Sequence, residues 1–294
     1  MSGFPRCTAV LAAACLGLLV SCHSFKIPGL DGDKPEEADK YSPLGRPSKY
    51  SFRVSQYVFY SDFEIKRDQP IFRELSDLRE QVFKELQLPS PAADSLIHVH
   101  LFGDKDSYER FIQKKYPELP NRRAFFMEEQ SHGLGKKGDL LVFTFWSDRI
   151  RLDLRHELTH ALLHSVLKDV PLWLDEGLAE YYELPPSWNG LNRTHAQVLL
   201  NNGVRPDLAN LEKLSEVKEM DSDRYREAWA WVYLMLRGGN PKAKDVLLAY
   251  LYQLRTKPNP GPLQPRLAEA VASLDSTLAQ MLVQIADDRR AGQR

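Results

Sequence analysis

Apolar positions change their period along the chain. Residues 55–60 read as a strand, and residues 70–88 as an amphipathic helix with Ile71, Leu75, Leu78, Val82 and Leu86 on one stripe. Residues 96–102 alternate as a strand and place His98 and His100 on one face. That pair is expected to be half-exposed sheet residues rather than metal ligands. Residues 123–127 and 140–145 read as two more strands, with Gly133, Gly135 and Gly138 breaking the stretch between them. Helical spacing then takes over. Residues 154–166 place Leu154, Leu158, Ala161, Leu162 and Val166 inward. Asp169-Val170-Pro171 breaks that helix, and Pro171 can open the next. From Asn210 onward the pattern is helical: residues 223–236, stopped by Gly238-Gly239-Asn240-Pro241, then 243–254 and 266–285. Strands followed by helices predict an α+β fold.

The helix over residues 154–166 carries His156-Glu157-Leu158-Thr159-His160. Two His separated by three residues lie one turn apart on one helix face, so both imidazoles reach one metal ion. Glu157 between them can meet a water held by that ion, the arrangement of zinc hydrolases. The next helix presents Glu176, Glu180 and Glu183 on one face, beside Leu172, Trp173, Leu174, Leu178, Ala179 and Tyr182. Three carboxylates on an apolar segment need compensation when buried, and a divalent cation supplies it. His164 continues the phase of the His pair but sits a further turn away, which suits a core or supporting residue better than a ligand.

His156-Glu157-Leu158-Thr159-His160 followed by Pro171-Leu172-Trp173-Leu174-Asp175-Glu176-Gly177-Leu178-Ala179-Glu180-Tyr181 resembles the gluzincin zinc metallopeptidases, the clan of thermolysin and the M1 aminopeptidases. It is closest to their small exported bacterial members. The specific motif covers residues 156–183, and the layout about residues 50–285. The resemblance implies a zincin-like fold and Zn2+ held by His156, His160 and Glu176, with Glu157 as general base. It places a carboxylate supporting a zinc-bound imidazole at Glu180, an oxyanion donor at Tyr225, and the substrate-pairing sheet edge at residues 140–145. The exopeptidase recognition motif of the long aminopeptidases is absent from the sequence, so aminopeptidase action does not follow.

Residues 1–22 have the character of an export signal: Arg6, then an apolar run from Ala9 to Val20, too short for a permanent span. The run ends Leu19-Val20-Ser21-Cys22, which resembles a bacterial lipobox and implies acylation of Cys22. By the same resemblance, His23 after it, in place of Asp, favours outer over inner membrane retention. Residues 23–49, with Pro28, Pro35, Pro43 and Pro47, read as a solvated tether. The remainder divides into a zincin-like lobe over residues 50–183 and a helical lobe over residues 184–294. Cys7, Cys15 and Cys22 are the only cysteines, so a metal in the folded part must be held by His and carboxylate. A net charge of −1 without a basic tract gives no footprint for nucleic acid. The expected partner is a peptide or protein substrate in the cell envelope. A peptidoglycan peptide as substrate, or a non-catalytic metal-binding scaffold, are the competing readings, and the intact His156, Glu157, His160 and Glu176 set favours an enzyme.

Overall fold

A computed structural model describes residues 41–42, 44–92, 95–129 and 138–287. It is a mixed α+β structure with a five-stranded sheet in the N-terminal part and helices after it. The strands are β1 (Tyr50–Val54), β2 (Tyr57–Ser61), β3 (Ile97–Phe102), β4 (Ala124–Glu129) and β5 (Asp139–Phe145). Their order across the sheet is β1-β2-β3-β5-β4. β3 runs parallel to both β2 and β5, whereas β1 and β4 are antiparallel to their neighbours. The strand expected over residues 55–60 is therefore half of a hairpin. Ser55 adopts a left-handed conformation (φ 54°) and turns the chain between β1 and β2.

Two apolar layers sandwich the sheet. On one face Val99, Leu140 and Val142 join helix α1 (Pro70–Glu85), which buries Ile71, Leu75, Leu78 and Val82, and helix α3 (Ile150–His164). On the other face Phe102, Leu141, Phe143 and Phe145 meet Tyr108, Phe111 and Ile112 of helix α2 (Lys105–Lys115). Asp104 caps α2 by accepting from Ser107 N at 2.8 Å. β5 is thus buried on both faces and paired on both sides. This corrects the sheet-edge assignment for residues 140–145: the unbroken apolar run Leu140–Phe143 is the signature of an interior strand, and the edge beside the site is β4. His100 is buried rather than half-exposed, its ring stacked between Tyr60 (5.0 Å) and Phe143 (5.1 Å); burial lowers its pKa to about 3.

Helix α4 (Leu172–Tyr182) follows α3, and the C-terminal part adds α5 (Arg193–Asn201), α6 (Leu208–Leu211), α7 (Ser222–Arg237), α8 (Pro241–Leu254), α9 (Gln264–Ala270) and α10 (Leu274–Asp287). The helix expected over residues 266–285 breaks in two at Ser273, whose φ is 50°. Gly177 lets α4 lie directly on α7, because a Cβ there would meet the Ala228 carbonyl oxygen at 2.6 Å. Residues 44–49, expected in the tether, are partly folded onto the sheet: Arg46 donates to both oxygens of Glu129 at 2.8 and 2.9 Å, and Pro47 is buried. Residues 1–40, with Cys22, and Gly133 and Gly135 lie outside the described residues. No helix among the described residues is long and apolar enough to cross a membrane.

Candidate metal centre

α3 presents its His pair beneath the free edge of the sheet. Leu154, Leu158, Ala161 and Leu162 anchor the helix in the core, which leaves His156 and His160 on the face turned toward α4. Phe126 of β4 stacks near His160, with ring centroids 6.2 Å apart. The buried Arg155 ties the two helices together. Its Nε donates to the Glu183 carbonyl at 3.1 Å, and its Nη1 pairs with Glu74 at 3.5 Å. Arg155 therefore fixes the end of α4 against α3.

Glu176, 4% exposed, completes the centre from α4. Its Oε2 lies 3.4 Å from His156 Nε2 and 3.5 Å from His160 Nε2. These separations are long for charge-assisted hydrogen bonds, and Glu176 Oε2 is buried without a hydrogen-bond partner among the described residues. Three donors at about 2.1 Å from one tetrahedral ion stand about 3.4 Å apart, which matches both separations from Glu176 Oε2. Two imidazoles and one carboxylate are a donor set suited to zinc, so the residues fit that ion.

Each imidazole is held from behind by a carboxylate. His156 Nδ1 is 3.0 Å from Glu183 Oε2. His160 Nδ1 lies 2.9 Å from Asp175 Oδ2, in ion-pair rather than linear hydrogen-bond geometry, and the same oxygen is 3.1 Å from His164 Nε2. Such partners fix the tautomer that leaves Nε2 free to ligate. The expected role of Glu180 is not what the geometry shows. Its Oε2 takes His195 Nε2 at 2.7 Å, because α5 brings His195 to that side of α4, and Glu183 one turn later meets His156. His164 takes a supporting place, as its phase suggested.

The acids and imidazoles shift one another strongly. Burial opposes charge on His156, but Glu176 and Glu183 outweigh it and hold its pKa well above 6.5. For His160 burial is likewise outweighed, by Asp175 and Glu176, which raise it to about 10. Asp175 and Glu176, despite burial, fall well below the usual carboxylate range because the imidazoles face them. Glu157 moves the other way. Burial raises its pKa, against the pull of His156 and His160.

A cleft of about 680 Å³ opens beside the centre and includes His156, Glu157, Glu183 and Tyr225 in its walls. The structure brings Tyr225 of α7 to the site, yet its hydroxyl donates to Glu176 Oε1 at 3.2 Å. In that position Tyr225 holds the Glu176 carboxylate so that Oε2 faces the imidazoles. Arg122, which sequence reasoning did not single out, donates to the Tyr225 hydroxyl at 2.5 Å and lies 4.0 Å from Glu176 Oε1. It belongs to the loop before β4, far from the motif in sequence, and nothing in its local pattern marks it.

No protein-family model matches the chain, and no curated protein matches it. Among solved structures, it is similar to an M1 zinc metallopeptidase from Deinococcus radiodurans, with a TM-score of 0.39 and 16% identity over 81% of this chain and 50% of that one. A two-domain M1 zinc metallopeptidase variant bound to L-tryptophan gives a TM-score of 0.38 and 17% identity over 81% of this chain and 51% of that one. The chain thus spans about half the length of these structures. At such scores, the roles of individual residues rest on the geometry of the site alone.

Proposed function

We propose that this chain is a zinc-dependent peptidase of zincin-like fold, with His156, His160 and Glu176 as ligands and Glu157 as general base. The observation that carries the reading is the buried, unpartnered Glu176 Oε2, set 3.4 and 3.5 Å from two imidazole nitrogens beside an open cleft. When bound, the ion supplies Lewis-acid polarisation of the scissile carbonyl and lowers the pKa of water toward neutrality. Glu157, on the cleft wall with its pKa raised by burial, takes the proton from attacking water and returns it to the leaving amine. Tyr225 and Arg122 hold Glu176 in its ligating orientation. The edge of β4 beside the site, unpaired among the described strands, supplies backbone donors and acceptors for an extended peptide.

The substrate on this reading is a peptide or protein of the cell envelope, reached by an enzyme anchored through lipid on Cys22 at the outer membrane. Support for that part is the apolar run and terminal Cys22 of the first 22 residues. The test is zinc content and peptide-library cleavage for the full chain and its Glu157→Gln variant. About one zinc in both, with cleavage by the parent alone, supports the reading. Zinc in both with no cleavage favours a scaffold, and no zinc in either overturns the site.

A further inference from the structure

Resting on that reading, we infer that the cleft selects substrates carrying a carboxylate on the C-terminal side of the cut, and that Arg122 is the specificity residue that binds it. The first support is a cation without a close carboxylate of its own. Lys105, Arg122, Arg123 and Arg149 line the cleft, and so do five carboxylates, Glu157 among them. Arg123 is neutralised by Asp153 at 3.0 Å, and Lys105 faces Glu109 at 3.4 Å. Arg122 has no such partner: it donates to the neutral Tyr225 hydroxyl, and its nearest carboxylate is the ligand Glu176 at 4.0 Å. Once Glu176 gives its charge to a divalent ion, the Arg122 guanidinium has no other described carboxylate within 4.0 Å, and only the longer-range charge of Glu157 acts on it from the same cleft. Its side chain is 34% exposed and keeps N–H groups for a planar, two-oxygen partner.

The second support is position. Arg122 and Arg123 stand immediately before Ala124, the first residue of β4, so the cationic wall lies at the N-terminal end of the free strand edge. The wall is held in place from behind, where Tyr108 Oη donates to the Arg122 carbonyl (3.0 Å) and Thr144 Oγ1 to the Arg123 carbonyl (3.1 Å). A peptide paired antiparallel to β4 has its C-terminal portion at this end, while parallel pairing would bring an ammonium group against the cations. Electrostatics therefore selects the antiparallel direction, and a carboxylate of the departing fragment meets Arg122. Two sources offer this chemistry, the α-carboxylate of a chain end and an Asp or Glu side chain.

Binding to the full-length, zinc-loaded Glu157→Gln protein tests this without relying on turnover. The probes are N-acetyl-pentaalanine with a free or an amidated C-terminus, and the amidated peptide N-acetyl-Ala-Ala-Asp-Ala-Ala with its Asn counterpart. The expected result is a tenfold to hundredfold preference, on the order of one charged hydrogen-bonded contact, for the anionic member of one pair. Which pair shows it tells a chain end from an acidic side chain. The preference should vanish when Arg122→Gln is added and shrink with Arg122→Lys, each compared at full zinc loading. Equal binding within each pair, or a preference that survives Arg122→Gln, overturns the inference. If the parent chain cleaves peptides while binding shows no preference, only the specificity falls. If it cleaves none and the preference is present, the peptidase reading falls and the carboxylate site stands.

Discussion

Replacing the two carboxylates at the end of α4 separates the geometry seen here from the one the motif implies. Glu183 Oε2 stands 3.0 Å from His156 Nδ1, and the Glu183 side chain is one-fifth exposed. A hydrogen bond to a charged group contributes about 1.5–3 kcal/mol. Partial exposure and the acceptor that Gln retains place Glu183→Gln near the lower end, about a tenfold loss of zinc affinity. Glu183→Ala removes charge and acceptor together and should approach a hundredfold loss, on the order of 2.7 kcal/mol. Glu180 Oε2 is occupied by His195 at 2.7 Å, so Glu180→Gln should change zinc affinity by no more than about threefold. Competition against a chromogenic chelator at pH 7.5 measures all three. A loss in Glu180→Gln as large as in Glu183→Ala would refute the reasoning, since it would mean that Glu180 supports the ligand.

The ionisation of the centre makes an alkaline prediction for the metal-free protein. His160 has its pKa raised to about 10 from an ordinary 6.5, so its ion pair stabilises the fold fully below pH 6.5 and loses that contribution as pH rises toward 10. Melting temperature of the metal-free protein should fall across that window, and zinc-loaded protein should not follow it. A flat metal-free profile would contradict the assigned pairing. Glu157→Gln should retain zinc while peptide cleavage falls by about two to four orders of magnitude, read as kcat on a fluorogenic peptide; a near-normal rate would remove Glu157 as the base. Gly177→Ala should push α4 off α7, lowering stability by about 1–3 kcal/mol in denaturant melts and weakening zinc binding with it. Unchanged melts would show that the contact yields easily.

The His pair and the stripe of Glu176, Glu180 and Glu183 were legible because helical pitch decides which positions share a face, whereas the choice of Glu176 from that stripe came from the resemblance to zinc metallopeptidases. The supporting role among them was not, and the reason is specific. Glu180 and Glu183 lie at i+4 and i+7 from Glu176, each within about 40° of its direction around the helix, so the sequence offers both equally. The choice comes from how α4 crosses α3, which Arg155 fixes through the Glu183 carbonyl, and from α5 delivering His195 to Glu180. Asp175 reaches His160 for the same reason, from a position that periodicity assigns to a neighbouring face. The sheet shows a different kind of gap. The continuous apolar run Leu140–Phe143 already marked an interior strand, and the edge assignment came from likeness to other proteins rather than from that run. β4, by contrast, ends in Glu128 and Glu129, charges that an edge tolerates and an interior strand does not. Arg122 was illegible altogether, since a charged loop residue gains meaning only when folding sets it 4.0 Å from Glu176, 54 positions later. Positions that share a helix face are thus written in local period, whereas the contacts of Arg122, Glu180 and Glu183 depend on long-range packing that no local pattern records.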